Sequence, residues 1–163
     1  MRNRRIISFV LLILLAAAGL YQYRKYRVAP ELSFDSVEVE TLTGQKITLR
    51  NNEGKSRIIK FFATWCIDCR KELPKLVALK SEFEKRNIEL ILLSDEELST
   101  LEPFASFQEV PFPLFKLPKA FKAYGIHTLP TTYVMDGKGK MLDTYTGSKA
   151  IDSDQLNAWF KTP

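Results

Sequence analysis

The sequence predicts an α/β domain in which a central mixed sheet is flanked by helices. Two runs, residues 58–63 and 88–93, are apolar almost throughout (Lys60 and Glu89 are the exceptions), the pattern of strands covered on both faces. Stretches with apolar residues at helical spacing follow each run. Shorter alternating segments joined by glycine-bearing turns lie before and after them and read as hairpins.

Residues 34–42 alternate through Phe34, Val37 and Val39, and residues 45–49 through Ile47 and Leu49; Thr43-Gly44 between them makes an N-terminal β-hairpin. Residues 51–55 form a turn, and the strand over 58–63 delivers the chain into Trp65 and Cys66. Beyond Cys69, the apolar positions Leu73, Leu76, Val77 and Phe83 mark a helix, with Pro74 as a kink or a tolerated first-turn residue. After the strand over 88–93, Leu98, Leu101, Phe104 and Phe107 mark a helix interrupted by Pro103, followed by a short strand within 112–117. These two make an inserted αβ unit. Residues 118–124 form a short helix ended by Gly125. Residues 131–135 and 140–146 are antiparallel strands joined by Asp136-Gly137-Lys138-Gly139. Asp152 with Gln155 three residues on resembles a capping box for a last helix carrying Leu156, Trp159 and Phe160.

The chain divides into a basic n-region (1–5), an apolar segment (6–23), a tether (24–33) and one domain (34–163). The apolar segment, about 18 residues, sits at the lower edge of what crosses a hydrocarbon core of about 30 Å. Tyr21 and Tyr23 suit a membrane interface, with Arg24, Lys25 and Arg27 outside it. The rival reading is a signal peptide cleaved after Ala16-Ala17-Ala18. An N-in orientation exports the domain, since long domains translocate largely regardless of flanking charge. The net charge is +5, but residues 1–27 hold six Arg or Lys and no acid, leaving 18 basic against 19 acidic residues elsewhere. The basic excess therefore belongs to the leader, and nucleic acid is not an expected partner.

The chemistry concentrates in Trp65-Cys66-Ile67-Asp68-Cys69, which holds the only two cysteines of the 163 residues. Thiols at this spacing close a small ring with little reorganisation, and a helix N-terminus at the first stabilises its thiolate. As a structural staple so small a ring removes little chain entropy. A structural zinc site needs four ligands, and only His127 remains as a strong nitrogen donor. Thiol–disulfide exchange is the reading retained. With no glycine-rich phosphate loop in sight, no cofactor and no metal are expected.

Placed between a buried strand and a helix, and matched by Leu129-Pro130-Thr131-Thr132-Tyr133 opening a later strand, the cysteine motif resembles that of thioredoxin-fold proteins. Phe62-Ala63-Thr64-Trp65 before it and Arg70-Lys71-Glu72-Leu73-Pro74 after it narrow the likeness. So do the leading hairpin, the inserted αβ unit and the apolar N-terminal segment. Over residues 34–161 the chain resembles the membrane-anchored TlpA/ResA/CcmG-like thiol–disulfide oxidoreductases of bacteria.

That resemblance implies roles for individual residues. Cys66 attacks, with Trp65 covering one side of its sulfur, and Cys69 resolves, the two forming a redox disulfide. A cis bond before Pro130 presents the Leu129 backbone beside the sulfurs. Glu72 tunes the thiols by taking or giving a proton, although a first-turn Glu that favours the helix dipole would look the same. Lys60 departs from the pattern, standing where thioredoxins carry Asp and TlpA-like proteins often Asn. A lysine there pairs, snorkels to an edge or shifts its pKa, and beneath the active site it would reach Glu72 or Cys69. Asp68 disfavours a thiolate beside it, which points to a reductant. His127 reads as a solvated loop residue. The expected partners are client proteins with disulfides, a membrane-embedded electron donor and the membrane itself, with the domain monomeric and outside the cytoplasm. Cytochrome c maturation or a related envelope pathway is a client route by resemblance. Two alternatives stand beside this reading: a peroxiredoxin-like thiol peroxidase, against which the sequence offers no cysteine upstream of the pair, and a redox-inactive binding module.

Overall fold

The computed structural model describes residues 2–50 and 54–160, with the side chains of residues 2–5 left aside. It opens with a 26-residue helix, α1 (Arg2–Arg27). Its segment Ile6–Arg27 is long and apolar enough to cross a membrane, and the apolar window within it is not buried in the domain. The domain then runs β1 (Val37–Glu40), β2 (Lys46–Leu49), β3 (Ser56–Phe61), α2 (Ile67–Ala78), α3 (Lys80–Lys85) and β4 (Ile88–Ser94). It continues with α4 (Leu98–Phe107), β5 (Leu114–Lys116), a 3-10 turn (Phe121–Tyr124), β6 (Thr131–Met135), β7 (Met141–Thr146) and α5 (Ser153–Trp159).

The strands form one seven-stranded mixed sheet in the order β2-β1-β5-β4-β3-β6-β7. Its middle is parallel: β3 pairs with β4 (Lys60 beside Leu92), and β4 with β5. β6 lies antiparallel to β3, bringing Lys60 opposite Thr132, and β7 is antiparallel to β6. The N-terminal hairpin joins the far edge through Glu40 and Lys116. Ile58, Ile59, Phe61, Leu92, Leu93 and Val134 are buried almost completely, as strands covered on both faces require. This is the thioredoxin-type α/β arrangement expected, and it sets the C-terminal ends of β3 and β4 side by side.

Several boundaries differ from the sequence expectation. β1 is shorter than 34–42; Phe34 lies outside the strand but is buried, its ring centroid 5.1 Å from that of Tyr133. The helix after the cysteines breaks at Leu79 into α2 and α3. α2 buries Cys69, Glu72, Leu73 and Leu76 on one stripe, and Val77, one position beyond it, is exposed. Pro74 stands well inside α2 rather than in its first turn, so the Arg70 carbonyl lacks its usual intrahelical donor. Phe107, expected on the apolar face of α4, is 84% exposed, while Leu101 carries that helix's burial. The turn expected over 51–55 lies partly outside the described residues. The segment read as a tether divides: residues 24–27 belong to α1, and Pro30 is held by the Tyr133 hydroxyl, which donates to its carbonyl at 2.8 Å.

Candidate active site

β3 ends just before the motif, and the Phe62 N–H donates to the Leu93 carbonyl at 2.8 Å, carrying the strand pairing one residue further. A tight turn follows, in which the Cys66 N–H donates to the Ala63 carbonyl at 3.1 Å. Cys66 then occupies the N-cap of α2 with extended backbone (φ −74°, ψ 110°). Its Sγ accepts from the Cys69 N–H at 3.2 Å, one of the donors that a helix start leaves without an intrahelical partner. The same N–H and the helix dipole would stabilise negative charge on Sγ once the disulfide is reduced. Cys66 and Cys69 are joined as a disulfide with Cα atoms 5.3 Å apart. Cys66 lines a surface groove, whereas Cys69 faces the core and is 2% exposed.

That groove has a volume of about 890 Å³. Trp65 and Ile67 flank Cys66 and are 65% and 66% exposed, unusually open for large apolar side chains. Leu129 and His127 line it with them, and the Leu129–Pro130 peptide is cis. Lys25 and Tyr26 from the end of α1 also line it, a contribution the sequence reading did not foresee. His127, read as a solvated loop residue, sets its ring edge-on to Tyr26 with centroids 5.9 Å apart.

Lys60 and Glu72 meet in the interior beside this site. Lys60 is 2% exposed; its ammonium lies 2.8 Å from Glu72 Oε2 and donates to Thr132 Oγ1 at 2.8 Å. The snorkelling alternative is thereby excluded: the cross-strand register with Thr132 turns Lys60 inward. The approach to Oε2 is an ion pair rather than a well-directed hydrogen bond. Glu72 Oε1 accepts from the Ser148 hydroxyl and, at 3.1 Å, from the Lys149 N–H. Gly147 turns the chain toward Glu72 at φ +82°, a left-handed conformation that favours glycine, while its N–H donates to the Pro130 carbonyl at 2.7 Å. Glu72 is thus buried on the same stripe of α2 as Cys69, and both its oxygens are engaged. Burial lowers the Lys60 pKa from the ordinary lysine value, and the Glu72 charge opposes that shift.

Two carboxylates missed in the sequence reading brace the site, Asp95 in the groove wall and Glu96 at the turn leading to Cys66. Glu96 accepts from the Thr64 N–H at 2.7 Å and from the Thr64 hydroxyl at 2.6 Å, two residues before Cys66. Ser94 donates to the same carboxylate at 3.1 Å. Asp95 accepts from the Phe121 N–H at 2.9 Å, fixing the start of the 3-10 turn. The available signal was an acidic pair at the carboxyl end of a buried parallel strand, where α/β folds place their sites.

The likeness to known proteins agrees with this geometry. The AhpC/TSA family model matches residues 28–143. The thiol-disulfide oxidoreductase ResA of Bacillus thuringiensis subsp. konkukian is 30% identical over 169 residues, covering 98% of this chain and 96% of the relative. This chain belongs to the AhpC/TSA family, among its ResA-type thiol–disulfide oxidoreductases. The thioredoxin-like protein YneN of Bacillus subtilis is 31% identical over 162 residues, covering 91% of this chain and 92% of that protein. The crystal structure of StoA from Bacillus subtilis superposes with a TM-score of 0.61 at 26% identity, over 80% of this chain and 98% of that one. The Cys66–Cys69 disulfide, with one sulfur at a helix N-cap in a groove and the other buried, fits a redox centre of such an oxidoreductase.

Proposed function

We propose that the protein reduces disulfides in client proteins on the outer side of a membrane to which α1 anchors it. The carrying observation is the asymmetry of the pair: Cys66 lines the groove at the N-cap of α2, and Cys69 lies behind it in the core. In the reduced protein the Cys66 thiolate attacks a client disulfide, forming a mixed disulfide and releasing one client sulfur as a thiolate. The Cys69 thiolate then attacks the Cys66 sulfur, closing the Cys66–Cys69 bond and releasing the second client sulfur. Two electrons pass to the client, whose thiolates take up the protons the two cysteines have lost. Trp65 and Leu129 line the groove beside the attacking sulfur, and the half-buried Leu129 backbone before cis-Pro130 is suited to pair with an extended client segment.

Asp68, exposed in the first turn of α2, supports the reductive direction, because its charge makes a neighbouring thiolate less favourable and the dithiol a readier donor. A membrane-embedded donor would return the electrons. The buried Lys60–Glu72 pair fixes the charge beside Cys69, so Glu72 acts through its position. Equilibration of the full chain with glutathione tests the direction: a reductant stays largely reduced only in a strongly reducing buffer. Ready reduction of the Cys66–Cys69 bond by millimolar glutathione would make it an oxidant instead. Mass spectrometry of the mature N-terminus tests the anchor, and a chain starting at Gly19 would remove it.

A further inference from the structure

We propose that Lys25 and Tyr26, where α1 leaves its apolar span, form one wall of the Cys66 groove and pin that groove at the membrane surface. Its partner is then a membrane-embedded protein that presents its cysteines within the headgroup layer. The inference rests on the reading of α1 as a retained anchor and of the cysteines as an exchange centre.

The segment joining α1 to the domain is docked along its length. The Thr128 hydroxyl donates to the Tyr26 carbonyl at 2.8 Å, and the Thr146 hydroxyl to the Arg27 carbonyl at 3.1 Å. The buried Tyr133 hydroxyl holds the Pro30 carbonyl, and the Tyr26 ring rests edge-on against His127. At Gly125 (φ +72°) a Cβ would come within 3.3 Å of Pro30, so the close approach of this segment uses the glycine. The groups that fix the segment come from β6, β7 and the loop bearing Leu129, and that loop, through residues 126–129, itself lines the groove. Anchor and active site therefore share one frame.

That frame sets a height. Tyr26 lies three residues past Tyr23, the end of the apolar segment, which at helical rise is about 5 Å. The polar layer outside the hydrocarbon core is itself roughly 5–8 Å deep on each side. The groove wall thus falls inside the headgroup layer. Trp65 and Ile67, open to solvent beside Cys66, are side chains that such an interface accommodates. A slack linker of about ten residues would instead let the domain wander by roughly 17 Å.

The test uses the full chain in nanodiscs together with a single-span peptide carrying a cystine either about two or about fifteen residues beyond the bilayer, roughly 7 or 50 Å of extended chain. The native protein should reduce the near cystine about tenfold faster, because a fixed groove has little effective concentration at the far one. Insertion of about ten Gly/Ser residues between Tyr23 and Arg24 leaves the docked wall intact and frees the domain, so the ratio should fall to about one. Equal rates for the native protein, or a ratio that survives the insertion, would overturn the pinning. A soluble cystine peptide reports the exchange chemistry separately, and failure to reduce it would count against the proposed function instead. The wall itself is tested by replacing Tyr26 with p-benzoylphenylalanine in a Cys69→Ser background. Light should cross-link position 26 to a peptide held on Cys66, and a trapped peptide that never cross-links would remove Tyr26 from the groove.

Discussion

Substitution of Lys60 by methionine removes the ammonium and leaves Glu72 as a buried carboxylate without its counter-ion. Breaking a buried pair from one side costs about 3–5 kcal/mol. The lower end applies here, because Glu72 Oε1 keeps its bonds from Ser148 and the Lys149 N–H at a loop that solvent reaches. A loss of about 3 kcal/mol lowers the melting temperature by roughly 10 °C for a domain of this size. Urea unfolding of the oxidised full chain in detergent at neutral pH measures it. Adding Glu72→Gln removes the stranded charge and should recover most of the loss. A Lys60→Met protein within about 0.5 kcal/mol of native at neutral pH, the scatter of an ordinary surface change, would refute the buried pair.

Three further outcomes follow from the same geometry. Cys69→Ser should accumulate mixed disulfides on Cys66 in an oxidising compartment, visible as reductant-sensitive adducts by mass spectrometry, whereas Cys66→Ser should form none on the buried Cys69. Glu96→Gln should cost about 1–2 kcal/mol through its weakened bonds to Thr64 and slow Cys66 alkylation severalfold, with the far-ultraviolet spectrum unchanged; an unaltered rate would remove Glu96 from the positioning of the motif. In the alkaline range the native state binds fewer protons at Lys60 than the unfolded chain does, so that group's contribution raises stability as pH climbs toward the ordinary lysine pKa near 10.4. Burial raises the pKa of Tyr133 and Tyr145, whose native states keep protons that the unfolded chain loses above about pH 10, so stability should turn downward there. Urea midpoints measured across that range should show the maximum.

Much of the fold was legible because its signals are local. The largely apolar β3 and β4, the alternating β1–β2 hairpin and the Asp152–Gln155 cap each announce themselves within a few residues; the Gln155 N–H does donate to Asp152, at 2.8 Å. The cysteine pair was legible for the same reason, since its spacing and the helix after it lie in one stretch. What stayed hidden depends on partners distant in the chain. Lys60 could not be placed because its direction is set by Thr132 and Glu72, across a strand pairing and a helix. Glu96 lies 32 positions from Thr64, and only the folded sheet brings the two together. The docking of residues 26–30 was illegible because its donors, Thr128, Tyr133 and Thr146, lie about a hundred positions away. Val77 and Phe107 erred in the other direction: helical spacing marked them as buried, yet both are exposed, Val77 one position beyond the buried stripe of α2 and Phe107 at the last residue of α4.

The central claim is that Cys66, at the N-cap of α2, is the attacking sulfur of a dithiol centre. Timed alkylation of the reduced full chain by iodoacetamide near neutral pH, with each adduct assigned by mass spectrometry, addresses it directly. Cys66 should be modified first, about tenfold faster than Cys69, in keeping with a thiolate stabilised at a helix start and opening to the groove. Equal modification of the two thiols, or prior modification of Cys69, would contradict the account.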